Sequence, residues 1–344
     1  RLRLRPLSAP PPPAPSPVPL RQLPRRRSLY GSAGASPEPS FYDHSVERYA
    51  TRDLKRVSVR EMLSFGADRS LSPEDKALKS GRYVQRELPV RLAQRLMDLE
   101  SLPYIVVTNP HIKRVYDAYR TAFHALRALP PVQTVEENAS LCRMLRSMVD
   151  EHAETLTALA VGLRECQKKP VVGPQLSLDG VLDSMLASRI GRRVLAEQHI
   201  SISEGREGHV GVVALDLPLA DAVRRVAQRT EETCRRTYGQ AAAHVVEGDV
   251  GATLTYIPAH LEYMVYELLK NASRAAVERH GHGLLGRSKG GDRGVPPVTV
   301  RICEGERDIT LQIADEGGGI APAELESVWR YGYTTVRDED DEDE

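Results

Sequence analysis

From about Asp43 to His199 apolar residues recur every three or four positions, the spacing of one buried helix face, with helix punctuation between the runs. Ser72-Pro73-Glu74 starts a segment running through Arg82, Tyr83 and Val84. Pro89 then begins a new helix or kinks the old one, with Val90, Leu92, Leu96 and Met97 on one side. Asn109-Pro110 opens a helix whose Val115, Tyr119, Phe123 and Leu126 share a face, and which ends before Pro130-Pro131. Thr134 is placed to cap one long helix to about Lys168, carrying Leu141, Leu145, Met148, His152, Leu156 and Leu159. A further helix runs from about Leu178 to His199. Four long helices with short connections predict a four-helix bundle over residues 41–205.

After that the period changes. Val298, Val300 and Ile302 alternate, Glu304-Gly305-Glu306 turns, and Ile309, Leu311 and Ile313 alternate again, which predicts a β-hairpin with one buried face. Between the bundle and the hairpin, Tyr263, Glu267, Asn271 and Arg274 stand at i, i+4, i+8 and i+11, one face of a helix. Met264, Leu268, Ala272, Ala275 and Ala276 form a neighbouring stripe expected to lie on the sheet. A carboxylate can accept a proton, an amide oxygen can ligate magnesium, and a guanidinium can hold phosphate oxygens. The second hairpin strand runs into Asp315-Glu316-Gly317-Gly318-Gly319. A carboxylate there can accept the exocyclic amine of adenine, and the glycines let backbone approach a ligand. Taken singly, the helix face reads as ordinary amphipathic surface and the glycines as a flexible turn.

Composition adds limits rather than chemistry. The chain has 344 residues, 27% charged and 41% hydrophobic, enough for two ordinary domains, and a net charge of zero argues against a nucleic-acid binder held by bulk charge. The zero hides opposite ends. Residues 1–37 hold seven arginines, no lysine and no acid among many prolines and serines, the marks of a mitochondrial transit peptide, expected disordered over 1–40. Residues 337–344 are an arginine followed by seven acids, a self-repelling block also expected to be disordered. No apolar run reaches the roughly 18 residues of a membrane span. Cys142, Cys166, Cys234 and Cys303 lack zinc-site or disulfide spacing and suit a reducing compartment.

His152 lies on the stripe of the helix opened by Thr134, where a phosphoacceptor histidine is one reading and a core or pocket histidine the blander one; its neighbours match no phosphoacceptor box. Arg189 and Arg193, four apart beside Ser188, can grip a small carboxylate or can simply be surface ion-pair residues.

Glu-x-x-x-Asn on a helix, followed by Asp-x-Gly-x-Gly after a hairpin, resembles the ATP-binding boxes of the GHKL superfamily. A closer resemblance rests on Glu87-Leu88-Pro89-Val90-Arg91-Leu92-Ala93, Leu102-Pro103-Tyr104-Ile105, Asn109-Pro110, Ser188-Arg189-Ile190-Gly191-Arg192-Arg193-Val194-Leu195 with His199, and Glu267-Leu268-Leu269-Lys270-Asn271-Ala272. Over roughly Tyr42 to Thr335 the chain is similar to the mitochondrial protein kinases of the 2-oxoacid dehydrogenase complexes. Tyr263, where the pyruvate dehydrogenase kinases carry His, together with Tyr42-Asp43-His44-Ser45 and Gly162-Leu163-Arg164-Glu165, resembles the branched-chain branch of that family.

The resemblance implies α then α+β: the bundle as a regulatory and docking domain, then a GHKL-type (Bergerat) ATP-binding α/β sandwich over 206–336. It implies serine phosphorylation that switches off the branched-chain 2-oxoacid dehydrogenase, docking on the lipoyl domain of the acyltransferase core, a homodimer and residence in the mitochondrial matrix. ATP and Mg2+ follow as cofactors, with K+ as a further candidate ion. By residue, Glu267 is implied as general base and Asn271 as Mg2+ ligand. Arg274, Asp315, Gly317, Gly319, Thr334 and Thr335 are implied at the nucleotide. His152, Ser188, Arg189 and Arg193 are implied as an allosteric pocket for a branched-chain 2-oxoacid. Arg192 stands where related kinases often carry an apolar residue, and Ser273 where they carry a larger apolar one.

The family also uses a second Gly-rich box, G-x-G-x-G, as a phosphate lid, followed by closing strands. After Thr335 only the acidic run stands, so the ATP-binding domain is expected to be incomplete and the protein to continue past residue 344. The alternatives are a pyruvate dehydrogenase kinase, a catalytically silent fragment that binds the lipoyl domain, and a GHKL ATPase or histidine kinase.

Overall fold

The computed structural model describes residues 44–68, 70–169, 178–281 and 294–329. The expected leader 1–40, Thr334, Thr335 and the acidic run 337–344 lie outside them. The described chain is helical first and mixed afterwards, the predicted α then α+β order.

The helices begin where local chemistry satisfies their first N–H groups. After α1 (His44–Ala50) and α2 (Val59–Ala67), α3 (Pro73–Glu100) starts with Pro73 in its first turn and Ser72 Oγ accepting from Asp75 N at 3.0 Å. Pro89 removes one ladder donor but starts no new helix; α3 runs through it for 28 residues, with Pro89 buried. After the single turn α4 (Tyr104–Val107), α5 (Pro110–Ala128) is capped by Asn109, whose Oδ1 accepts from His111 N and Ile112 N. Asn109 Nδ2 also donates to Glu165 Oε2 at 2.7 Å, tying the start of α5 to a later helix.

The predicted long helix from Thr134 is two helices. Thr134 and Glu137 form a reciprocal capping box at the start of α6 (Val135–Glu151), and α7 (Thr155–Gln167) follows a three-residue turn at 152–154. The Thr155 hydroxyl donates to His152 O at 2.8 Å, taking the carbonyl that an unbroken helix would offer four residues on. His152 is therefore a helix-end residue. α8 (Leu178–Glu204) extends past the expected end at His199.

Long α3 packs against α5, α6, α8 and α1, while α5 meets α7 and α6 meets α8. Leu88, Leu92, Leu96, Phe123, Leu145 and Leu159 are among the fully buried side chains of this helical core. Buried His199 crosses it, with Nδ1 at 3.2 Å from Ser80 Oγ of α3 and Nε2 at 3.5 Å from Cys142 Sγ of α6.

The second part holds two three-stranded sheets. One is antiparallel, in the order β1 (His209–Val210), β2 (Val213–Pro218), β4 (Thr253–Tyr256). The other runs β3 (His244–Gly248), β5 (Val298–Glu304), β6 (Ile309–Ala314), with β3 parallel to β5 and β5 antiparallel to β6. β5 and β6 are the predicted hairpin. Two helices, α9 (Leu219–Tyr238) and α10 (Pro258–His280), lie side by side over this part. Two single 3₁₀ turns, Pro322–Glu324 and Ser327–Trp329, close the described chain. The second core comprises Leu219, Val223 and Val226 of α9, Val265, Leu269 and Ala276 of α10, and Val298, Val300 and Ile302 of β5.

The sheet-facing stripe of α10 differs from the expected one. Leu261, Val265, Leu269, Ala272, Ser273 and Ala276 are buried, whereas Met264 and Leu268 are 46% and 55% exposed. The stripe lies around the helix from the predicted line because Leu268 faces the cleft beside α10 instead of the core.

Burial pushes His199 down to about 4, so the fold holds the neutral ring. The unfolded chain binds that proton near its ordinary value of about 6.5, so stability is full above about pH 6.5 and falls as pH drops towards about 4. Urea unfolding at pH 7 and pH 5 should differ by about 2 kcal/mol from this residue, and His199→Gln should remove that part of the slope.

Candidate active site

The first candidate site lies along the flank of α10 beside β6, whose Ile313 is in its wall. The end of β6 delivers the loop Asp315–Gly319 against it, and the 3₁₀ turns cover the far side. The cavity between them is about 820 Å³, on the scale of a nucleotide. Asn271 and Arg274 line it from α10, and Asp315, Gly317 and Gly319 from the loop. Five of the eight residues expected at the nucleotide or catalytic centre are thus brought together.

Glu267 stands one turn before Asn271, outside that lining. Its Oε2 accepts from Lys270 Nζ at 2.6 Å, and this bond raises the Lys270 pKa. Lys270 was not singled out as a site residue. The i, i+3 spacing from Glu267 is a signal for the pair, but such pairs are common on ordinary helix surfaces.

Arg274 Nε donates to Glu278 Oε1 at 2.6 Å, so a phosphate there would have to share the guanidinium with that carboxylate. Arg279, another residue missed in the sequence, lines the same cavity beside Gly318. Asp315 Oδ1 accepts from Gly317 N at 2.7 Å, which curls the loop and fixes the carboxylate. Glycine is required at three positions here. A methyl at 317 would run into Ala275 of α10, and Gly318 and Gly319 have φ of +102° and +76°.

Exposed Asn271 on the cavity wall fits a cation held mainly by phosphate and water oxygens, since magnesium commonly takes only one or two protein ligands.

The second site lies in the helical part. Leu88 and Leu92 of α3, Met148 and Val149 of α6, His152, and Arg189, Arg192, Arg193 and Ala196 of α8 surround a cavity of about 40 Å³. His152, Arg189 and Arg193 therefore converge as expected. Ser188 is not in the lining; its carbonyl accepts from Arg192 Nε at 3.3 Å. Arg189 Nη2 donates to Ala153 O, and Arg193 Nε to Glu197 Oε1 at 2.8 Å. Arg192, 8% exposed, lies with its guanidinium carbon 4.1 Å from the Tyr119 ring centroid, and its buried Nη1 has no hydrogen-bond partner among the described residues. Burial, then the nearby Arg192 charge, brings His152 down to about 4.

A third concavity, about 820 Å³, opens between α2, α3 and α8, with Met62, Phe65 and Tyr83 on its walls and Arg56, Lys79 and Arg86 among them. Among the described residues no helix is long and apolar enough to cross a membrane.

Residues 56–214 match the family model described as mitochondrial branched-chain alpha-ketoacid dehydrogenase kinase. The chain is 30% identical over 307 residues to the mitochondrial pyruvate dehydrogenase (acetyl-transferring) kinase of Arabidopsis thaliana, covering 89% of this chain and 81% of that protein. The chain belongs to the mitochondrial 2-oxoacid dehydrogenase kinase family. A Drosophila melanogaster pyruvate dehydrogenase kinase is 27% identical over 320 residues, with 88% of this chain and 74% of that one covered. Kinase 2 of Saccharomyces cerevisiae is 25% identical over 323 residues, 90% of this chain and 64% of its own length. As a member of this family the chain is a protein-serine kinase and a user of ATP. The relatives are named for pyruvate dehydrogenase, whereas the resemblance in the motifs pointed to the branched-chain branch.

Gly317→Ala should push the Asp315 loop off α10. The affinity for a fluorescent adenine nucleotide, read by anisotropy on the full-length protein, should fall about tenfold or more.

Proposed function

We propose that this protein phosphorylates a serine on the dehydrogenase component of a mitochondrial 2-oxoacid dehydrogenase complex, in the matrix, and so switches that complex off. The observation that carries this reading is the convergence of Asn271, Arg274, Asp315, Gly317 and Gly319 on one nucleotide-sized cavity in a chain of this family. Residues 41–205 would form a four-helix regulatory and docking domain and 206–336 the GHKL-type ATP-binding domain. Two large apolar clusters, within 46–200 and 214–302, support the division, with a smaller one of Met62, Val213 and Ile257 between the two parts.

In this reading Asp315 accepts the adenine amine while the curled loop brings Gly317 and Gly319 backbone against the nucleotide. Asn271 would offer its amide oxygen to magnesium, which neutralises phosphate charge when bound. Glu267, one turn along α10 from Asn271 and outside the cavity lining, would meet a serine hydroxyl brought by a partner. Lys270 orients that carboxylate, and Glu267 takes the hydroxyl proton as the oxygen attacks the γ-phosphorus and ADP leaves. Arg274 and Arg279 would face the phosphoryl oxygens.

Pyruvate dehydrogenase is the first substrate to test, because the relatives carry its name. The branched-chain dehydrogenase is the second reading, favoured by the family match over 56–214 and by Tyr263. The groove between α2, α3 and α8, apolar inside with cations along it, would suit the apolar arm of a lipoyl domain. A homodimer and K+ dependence belong to the same reading.

Glu267→Gln in the full-length protein should keep Mg–ATP binding and lose transfer by roughly 10² to 10⁴. Transfer measured on purified pyruvate and branched-chain dehydrogenase subunits decides the substrate, and undiminished transfer by the variant would remove Glu267 as base.

The cavity at His152, Arg189 and Arg193 would bind a small carboxylate regulator, with the Ser188 carbonyl fixing Arg192. Its 40 Å³ holds only a few water-sized probes, less than a branched five-carbon oxoacid needs. Arg192 occupies the missing space. By thermal shift, the wild-type protein should prefer two- and three-carbon carboxylates, and Arg192→Ile should move the preference towards branched 2-oxoacids.

A further inference from the structure

On the buried side of α10, behind the candidate active site, a chain of polar groups crosses three elements. Ser273 Oγ of α10 is 2.9 Å from His244 Nε2 at the start of β3, and His244 Nδ1 is 3.2 Å from Glu231 Oε1 of α9. Glu231 Oε1 also accepts from the His244 backbone N–H at 3.1 Å, and Oε2 from Arg235 Nη2 at 2.9 Å. The Cys234 thiol of α9 adjoins the Ser273 hydroxyl. Ser273 has no exposed surface, and the His244 side chain is 1% exposed.

Serine, imidazole and carboxylate in this order have the geometry of a nucleophile, base and orienter. The serine faces the core from the middle of a helix, however, and no substrate reaches it. Nucleophilic chemistry is therefore excluded and a positional role remains. Glu231 can only accept, so Nδ1 carries the imidazole proton and Nε2 accepts from the Ser273 hydroxyl. Burial lowers the His244 pKa, in keeping with a neutral ring.

The other buried groups on this side of α10, Leu261, Val265, Leu269, Ala272, Ala276 and Val277, are all apolar. Apolar contacts resist separation but are weakly directional, whereas a hydrogen bond between fixed groups sets an angle. A roll of about 10° about the helix axis moves a carboxylate ~6 Å from that axis by ~1 Å. Misplacement of that size costs on the order of 10² in rate.

We infer that Glu231, His244 and Ser273 are positioning residues of the phosphoryl-transfer site, fixing the rotation of α10 so that Glu267 and Asn271 face the nucleotide. This rests on reading α10 as the kinase helix.

The test uses full-length protein and steady-state transfer to the dehydrogenase subunit. Ser273→Ala changes little volume and removes the hydroxyl. It should lower kcat by about tenfold to 10² while the nucleotide KM moves much less, because adenine is held from the Asp315 loop. His244→Leu should do the same, and the double variant should be no slower than the slower single variant, since the groups act as one chain. Cys234→Ala disturbs packing at the same spot but leaves the relay intact, and should keep kcat. Unchanged kcat in folded Ser273→Ala, multiplying losses in the double variant, or an equal loss in Cys234→Ala would each overturn the inference. Full transfer by Glu267→Gln would instead refute the active-site reading itself, so the two failures are distinguishable.

Discussion

One helix has to satisfy two demands at once. α10 supplies the second core with Val265, Leu269 and Ala276, each nearly or fully buried, and its flank beside β6 lines the nucleotide-sized cavity with Asn271 and Arg274. Burying an aliphatic side chain such as Leu269 contributes about 1.5–3 kcal/mol, so the helix is fastened to the sheet by its apolar side. The polar side can then carry groups chosen for chemistry. The rest of the second part serves this arrangement: β5 is the surface on which α10 rests, β6 ends at the Asp315 loop, and Gly317 lets that loop touch Ala275.

The helical part solves a related problem with less freedom. Breaking the Thr134 helix at 152–154 places His152 at a turn, with its ring 5.3 Å from that of Tyr119. The Arg192 guanidinium also lies over the Tyr119 ring. A buried cation is costly without compensation, and here the aromatic face supplies part of it and the Ser188 carbonyl another part. Among the described residues an unpartnered Nη1 remains. That unpaired N–H group and the neutral His152 stand in the wall of the same small cavity.

Elements with strong local signals were legible. Ser72, Asn109 and Thr134 announced helix starts through side chains that accept backbone N–H groups, and each does so. Alternation through Val298, Val300 and Ile302 marked β5, whose buried face is those residues. The break after Glu151 was not legible, because the apolar spacing runs across it and the turn at 152–154 carries no glycine or proline to mark it. The apolar stripe of α10 was misplaced for a similar reason. Leu268 has the hydrophobicity of a core residue, but a cleft wall also takes leucine, and only the position of the Asp315 loop separates the two.

The candidate sites divide along the same line. Asn271, Arg274, Asp315, Gly317 and Gly319, which line one cavity, were legible as candidates because each type matches a chemical task in a short motif. Lys270, Arg279 and His244 escaped because their contacts are with a partner distant in sequence or are indistinct from a common surface pair. His244 is 29 residues from Ser273, and no pattern in either segment names the other. The distinction has a physical basis. Contacts to substrate constrain residue type directly, whereas support for those contacts constrains only that some polar pair reach across the layer, which many residue combinations can do. The supporting groups are thus where chains with the same reaction can differ most, and Ser273 and Arg192, the two departures from the resembled kinases, both sit in such places.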